Sequence, residues 1–183
     1  ASSGSNNLVL GSDGSATINQ ISSSTVFPAG GTGNPISFAV IADVKSSSTS
    51  GGDSTSGSWE TRDLNTEISD ADGIVSIASN QFTLGAGTYV INFSAPAFQS
   101  GSHQARLYDI TGSAVLALGS TEYQSNSDAT QTVSIGSFIH SPTSSNTYKI
   151  QHRVADSKVT YGHGVNSGFA DNHYTRVIIY KLK

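Results

Sequence analysis

Apolar residues in this chain recur at every second position in short runs, and no window carries them at helical spacing. Ile36, Phe38, Val40, Ala42 and Val44 fall on one side of an extended chain; Tyr89, Ile91, Phe93 and Ala95 do the same. Val133, Ile135 and Ile139 follow, then Tyr148, Ile150 and Val154. Successive side chains of a strand point to opposite faces, so this is the pattern of a half-buried strand. Further short strands are predicted at Ile74–Ala78, Gln104–Ile110 and Ala114–Leu118. A helix would need an i, i+3, i+4, i+7 apolar stripe, and none is long enough. Composition agrees: charged residues make up 12% of the chain, about half the roughly 25% usual in soluble proteins. Ser, Thr, Asn and Gly take their place, and these suit strand faces and turns better than helix surfaces. The fold class is all-β, and 183 residues allow one substantial domain.

The last run differs from the others. In Tyr174–Leu182 one side carries Tyr174, Ile178, Tyr180 and Leu182, the other Val177 and Ile179. A strand apolar on both faces is covered on both faces. In a sandwich one face meets the core, and the other meets a loop or another subunit. Burying such side chains is worth about 1.5–3 kcal/mol each, so three or four would hold an oligomer together. Tyr174, Val177, Ile179 and Leu182 are the candidate subunit contacts. Two stretches read as lying outside the packed domain. Ser46–Ser58 has no apolar side chain and is predicted to be a mobile loop. Residues 1–35 are rich in Ser and Gly, with two apolar islands, Leu8–Leu10 and Ala16–Ile18, flanking Asp13-Gly14. That is a hairpin signal. An isolated hairpin is marginal in water, so it is expected to dock on the main domain (residues 36–183) or to pair with copies of itself in a stalk.

Chemistry finds little purchase. The net charge is −4 with no block of Lys or Arg, so no phosphate-neutralising patch exists and nucleic acid is not an expected partner. No apolar run approaches the roughly 20 residues that span a bilayer, so membrane insertion is not expected either. With no Cys, disulfides and thiolate metal sites drop out. None of the five histidines has the spacing of a zinc peptidase, and no His-x-His lies along a strand. His152 shares the inward alternation of Tyr148 and Ile150, which predicts a hydrogen-bonded core residue. His163 stands between two glycines in a tight loop, and with Asn166 it is the candidate for a receptor-facing loop. No Gly-x-Ser-x-Gly elbow is present. Asp70-Ala71-Asp72-Gly73 starts like a calcium loop but lacks the remaining ligands and closing Glu, so it reads as a solvated turn. Nothing pairs Glu60, Glu67 or Glu122 for sugar hydrolysis, and the sequon at Asn92-Phe93-Ser94 lies inside a predicted strand. No catalytic residue, cofactor site or metal site is expected. Trp59, the lone tryptophan, is read as an anchor for the neighbouring loop in preference to a sugar platform.

Phe82-Thr83-Leu84 followed by Gly87-Thr88-Tyr89-Val90-Ile91-Asn92-Phe93 resembles the F…G-x-Y-x-[IF]-x-[FA] signature of C1q/TNF-like jelly rolls. A wider set resembles the C1q-like domains of bacteriophage tail fibres and other phage structural proteins. It comprises Trp59-x-Thr61-Arg62-Asp63-Leu64-Asn65, Gln104-Ala105-Arg106-Leu107-Tyr108-Asp109, Ser137-Phe138-Ile139 and the closing Tyr174-Thr175-x-Val177-x-Ile179-Tyr180-Lys181-Leu182, preceded by Val26-Phe27-Pro28-Ala29-Gly30. The resemblance covers about residues 26–183. It lacks a collagen stalk, a terminal Phe-x-Gly-Phe and Cys, which points away from a complement or cytokine role. It implies a jelly-roll sandwich assembling as a homotrimer with the last strand near the threefold axis, and variable loops as the binding surface. The expected role is a non-catalytic virion protein, a fibre or spike domain that binds a host surface glycan or protein. The alternative is a head fibre, knob or decoration protein attached to other virion proteins through its N-terminal segment.

Overall fold

The computed structural model describes residues 8–10, 16–18 and 36–182, which form extended strands joined by turns and by two longer connections, 46–59 and 155–171. Two units are distinguished, Ala1–Asn34 and Pro35–Lys183. In the first, β1 (Leu8–Leu10) and β2 (Ala16–Ile18) form an antiparallel pair with Leu8 opposite Ile18 and Leu10 opposite Ala16. The Asp13-Gly14 turn predicted between them lies outside the described residues.

The second unit holds two antiparallel sheets and, among the described residues, no helix. The strands in chain order are β3 (Ile36–Lys45), β4 (Glu60–Thr61), β5 (Thr66–Ser69), β6 (Val75–Ala78), β7 (Gln81–Leu84), β8 (Thr88–Phe98), β9 (Ser102–Asp109), β10 (Ala114–Tyr123), β11 (Gln131–His140), β12 (Asn146–Val154) and β13 (Asn172–Leu182). One sheet runs β11-β8-β13-β3-β5; the other runs β10-β9-β12-β7-β6, with β4 also pairing β12. The core between them is built from Ile41, Phe82, Leu84, Tyr89, Ile91, Phe93, Leu107, Tyr148, Ile150, Val177 and Ile179. First and last strands are neighbours: Ile36 lies opposite Leu182, and Lys45 opposite Asn172.

Alternation holds throughout, but its direction is not uniform. In β8 and β12 the apolar alternates, Tyr89, Ile91 and Phe93, Tyr148 and Ile150, face the core. In β3 and β11 the more apolar alternates face out. Ile36 and Phe38 are 41% and 43% exposed, Ile135 and Ile139 60% and 65%, while the inward positions are Ala39 and Ile41, and Ser134, Gly136 and Phe138. Space explains β11. There the two sheets are stitched by hydroxyls: Ser134 Oγ accepts from Ala105 N at 2.9 Å and donates to Ser120 O at 2.7 Å, and Ile135 N donates to Ser120 Oγ at 3.1 Å. Gly136 lies directly opposite Phe93, and a Cβ there would collide with the Phe93 ring.

Ser46–Ser58 differs from the predicted mobile loop. Ser54 N and O bond Lys158 O and N, both at 2.9 Å, Gly51 N reaches Gly164 O at 2.8 Å, and Thr160 N donates to Asp53 Oδ1. Small side chains permit this approach, since a Cβ on Gly51 would meet the His163 carbonyl. A stretch with no greasy residue is thus held by backbone hydrogen bonds to the β12–β13 connection.

Candidate interaction surfaces

The outer face of the β11-β8-β13-β3 layer is apolar. Register places Ile178 beside Asn92 and Val40, Tyr180 beside Val90 and Phe38, and Leu182 beside Thr88 and Ile36. Val133, Ile135 and Ile139 continue the face across β8. Across these strands, from Ile36 to Val40 in β3, Arg176 is the only charged side chain on this side. A shallow concavity of about 470 Å³ lies in its middle, lined by Ile135, Ile178, Ser94, Asn92 and Arg176.

This changes which residues of β13 can meet a partner. Val177 and Ile179 are 0% exposed and lie between the sheets, so these two predicted subunit contacts belong to the core of a single copy. Tyr174 is also buried, its hydroxyl donating to Thr49 O at 2.9 Å. A bulge between His173 and Arg176 breaks the strict alternation that had put Tyr174 with Ile178. Of the four, Leu182 remains on the outer face, joined there by Ile178 and Tyr180.

At the end of the sandwich where β3 finishes and β13 starts, a polar chain fills the space between the sheets. Arg62, buried, follows the short β4 and donates through Nε to Thr175 Oγ1 (2.8 Å), through one terminal nitrogen to Pro96 O (3.1 Å) and through the other to His163 O (2.8 Å). His152 Nδ1 stands 3.4 Å from the same guanidinium, which can only donate. His152 therefore carries its proton on Nε2 and donates to His103 Nδ1 at 2.8 Å. His103 Nε2 then donates to Thr132 Oγ1 at 2.7 Å, whose hydroxyl donates to Gln124 Oε1 at 3.1 Å. The run has one direction, and each histidine must be neutral to keep it. Burial, with help from Arg62, pushes His103 down to about 4 even though Glu122 opposes the shift. His152 is held well below its usual range by burial, then by Arg62, His103 and His163. The guanidinium is pushed down to about 10 by burial, with Asp43, Asp63 and Glu60 supplying countercharge.

The predicted receptor-facing pair is built into this same end. His163 is 9% exposed, and its ring stacks parallel to His152 at 6.1 Å. Glu60 stands 3.7 Å from its Nε2, beyond hydrogen-bond range; burial, then Arg62 and Lys45, bring His163 down to about 2. Flanking glycines signalled a tight exposed loop, yet they serve close packing, since a Cβ on Gly164 would strike the Tyr174 ring. Asn166 is half-buried and donates through N and Nδ2 to Ser50 Oγ. His152 is the hydrogen-bonded core residue its alternation predicted. Arg62 was missed as a buried hub; its only trace in the sequence is the Trp-x-Thr-Arg-Asp-Leu-Asn segment.

No protein-family model matches the chain, and no curated protein matches it. Solved structures do. The Eiger TNF structure from S. frugiperda is 8% identical, covering 81% of this chain and 94% of that one, with a TM-score of 0.53. Murine APRIL at pH 5.0 is 8% identical, covering 80% and 99%, at 0.52. The globular domain of zebrafish complement 1qA protein is 15% identical over 81% and 96%, at 0.48. The fold is a jelly-roll sandwich like that of the Eiger TNF and APRIL structures.

Proposed function

We propose that three copies of this chain associate through the outer face of the β11-β8-β13-β3 layer, and that the trimer is a non-catalytic module of a bacteriophage particle, a fibre or spike domain that binds a host surface receptor. One observation carries the trimer: Ile36, Phe38, Val133, Ile135, Ile139, Tyr180 and Leu182 stand half-exposed on one face of a jelly roll whose core is already complete without them. Finishing their burial is worth about 1 kcal/mol each, on the order of 5–10 kcal/mol gross per face, enough to offset much of the cost of association. The virion role is supported by the segments that resemble phage C1q-like domains. The hairpin β1-β2, in a unit of its own, favours a second reading, in which the chain is a head fibre or decoration protein held by residues 1–35.

Sedimentation equilibrium is expected to give three times the mass of one chain, and Ile135→Glu to give one. A single-copy wild-type particle overturns the trimer. Immunogold labelling of intact phage with an antibody to this chain tests the location, and unlabelled particles refute it. Deleting residues 1–35 separates the two readings: unchanged incorporation into virions removes the second.

A further inference from the structure

The opposite side of the molecule, the outer face of the second sheet, has a different chemistry. Ile150, His152, Ala105 and Leu107 point inward, so their neighbours Lys149, Gln151, Arg153, Gln104, Arg106 and Tyr108 point out. Register sets Arg153 beside Gln104, Gln151 beside Arg106 and Lys149 beside Tyr108. The Arg106 guanidinium lies over the Trp59 ring at 4.1 Å and is 5.4 Å from the Tyr108 ring, and the Lys149 ammonium also stands 5.4 Å from the Tyr108 ring. Arg106 is held in place, its Nε donating to Gln151 Oε1 at 2.9 Å while Gln151 Nε2 reaches Trp59 O at 3.4 Å. Beside this ladder runs an open groove of about 540 Å³, lined by Trp59, Ser56, Ser102, Gln104, Thr121 and Arg153 among others, with no carboxylate in its wall.

The charge is inverted relative to the rest of the chain. With 13 acidic and 9 basic residues the protein is net negative, yet three of those nine cations gather here. Among the described residues none of the three has a carboxylate partner, the ion pairs being those of Lys45 with Asp43 and Asp63. Cations alone would suit any anion. The groove adds an indole beside them and, along its wall, amide and hydroxyl groups that bond sugar hydroxyls. A guanidinium supplies the fork that takes a carboxylate.

We propose that this groove binds an acidic saccharide, a carboxylate-bearing pyranose of a longer polysaccharide. The carboxylate sits at Arg153, with Lys149 and Arg106 extending the positive field along the chain, and the sugar ring lies against Trp59 among Gln104, Ser102 and Thr121. The inference supplies the ligand class for the receptor-binding reading and rests on that reading only for its biological purpose, because the groove lies within one copy and away from the apolar face.

The test titrates the full chain with defined oligomers of glucuronic acid and of sialic acid, against a neutral glucan of matched length and inorganic phosphate. Binding is read by calorimetry and by the fluorescence of Trp59, the lone tryptophan. At least one acidic oligomer is expected to bind saturably and shift that fluorescence. Arg153→Gln, on an exposed position, is expected to weaken it about tenfold, as loss of one charge-assisted contact does, with unchanged Tm and unchanged sedimentation. Lys149→Gln is expected to weaken it less. No binding of either acidic oligomer, equal binding of the neutral glucan or of phosphate, or affinity untouched by Arg153→Gln overturns the assignment. A trimer that fails to bind, or a monomer that binds, tells failure of this site from failure of the assembly.

Discussion

Lowering the pH from about 7 to about 5.5 is expected to remove about 4 kcal/mol of stability from the sandwich. In the unfolded chain a histidine titrates near 6.5. Folded, His103 is brought to about 4 and His163 to about 2, in both cases mainly by burial, and His152 is held well below its usual range. Between about 6.5 and about 4 the unfolded chain therefore binds up to three more protons than the folded one. The stability these groups contribute is fully present above about 6.5 and is lost as pH falls through that window. A histidine that stays neutral in the fold costs about 1.2 kcal/mol over this range, and three cost about 4, a large share of the roughly 5–15 kcal/mol of an ordinary domain. Structure gives the reason. Protonating His103 or His152 puts a donor where the run from Arg62 to Gln124 needs an acceptor. Asp43 works in the opposite sense, since burial raises it despite Lys45 at 3.0 Å, and a proton it takes up in the fold offsets part of the loss. Urea titrations at a fixed protein concentration, followed by Trp59 fluorescence, measure the effect. His152→Gln is expected to lower the pH slope by about a third. A flat stability between these two pH values, or an unchanged slope in that variant, would refute the reasoning.

Two further changes test the packing. Arg62→Met leaves Pro96 O and His163 O without a donor and Thr175 Oγ1 without a partner, and is expected to cost about 3–5 kcal/mol in the same urea titration; Arg62→Lys should not restore it, because one ammonium cannot reach donors' targets in three directions. Gly136→Ala drives a methyl into the Phe93 ring and is expected to cost about 1–3 kcal/mol, with Phe93→Leu in the same chain recovering part of it.

Period-two runs made the all-β class legible, and the F…G-x-Y element marks β8, whose Tyr89, Ile91 and Phe93 do face the core. What alternation leaves open is which face is which. In β3 and β11 the greasier side points outward; in β11 this is because the inner side must fit against hydroxyl-stitched strands and accepts Ser134 and Gly136. A strand pattern says that two faces differ, and only the partner sheet says which one is inside. The same ambiguity put Val177 and Ile179 on the wrong side of β13, and the bulge at Tyr174-Thr175 lay beyond a strict two-residue count. Ser46–Ser58 read as loose because composition reports side chains, whereas its order comes from backbone bonds to residues about a hundred positions away. Arg62 and the histidines were individually visible, but the directed run they form depends on β4, β9, β11, β12 and β13 arriving at one place.

Because Ile36 is paired with Leu182, the sandwich is entered and left through a single doorway. The connections 46–58, 124–130 and 155–171 gather at the far pole. A reporter joined directly after Leu182 should therefore leave that pole, with the Trp59 groove near it, free to touch whatever the assembly meets.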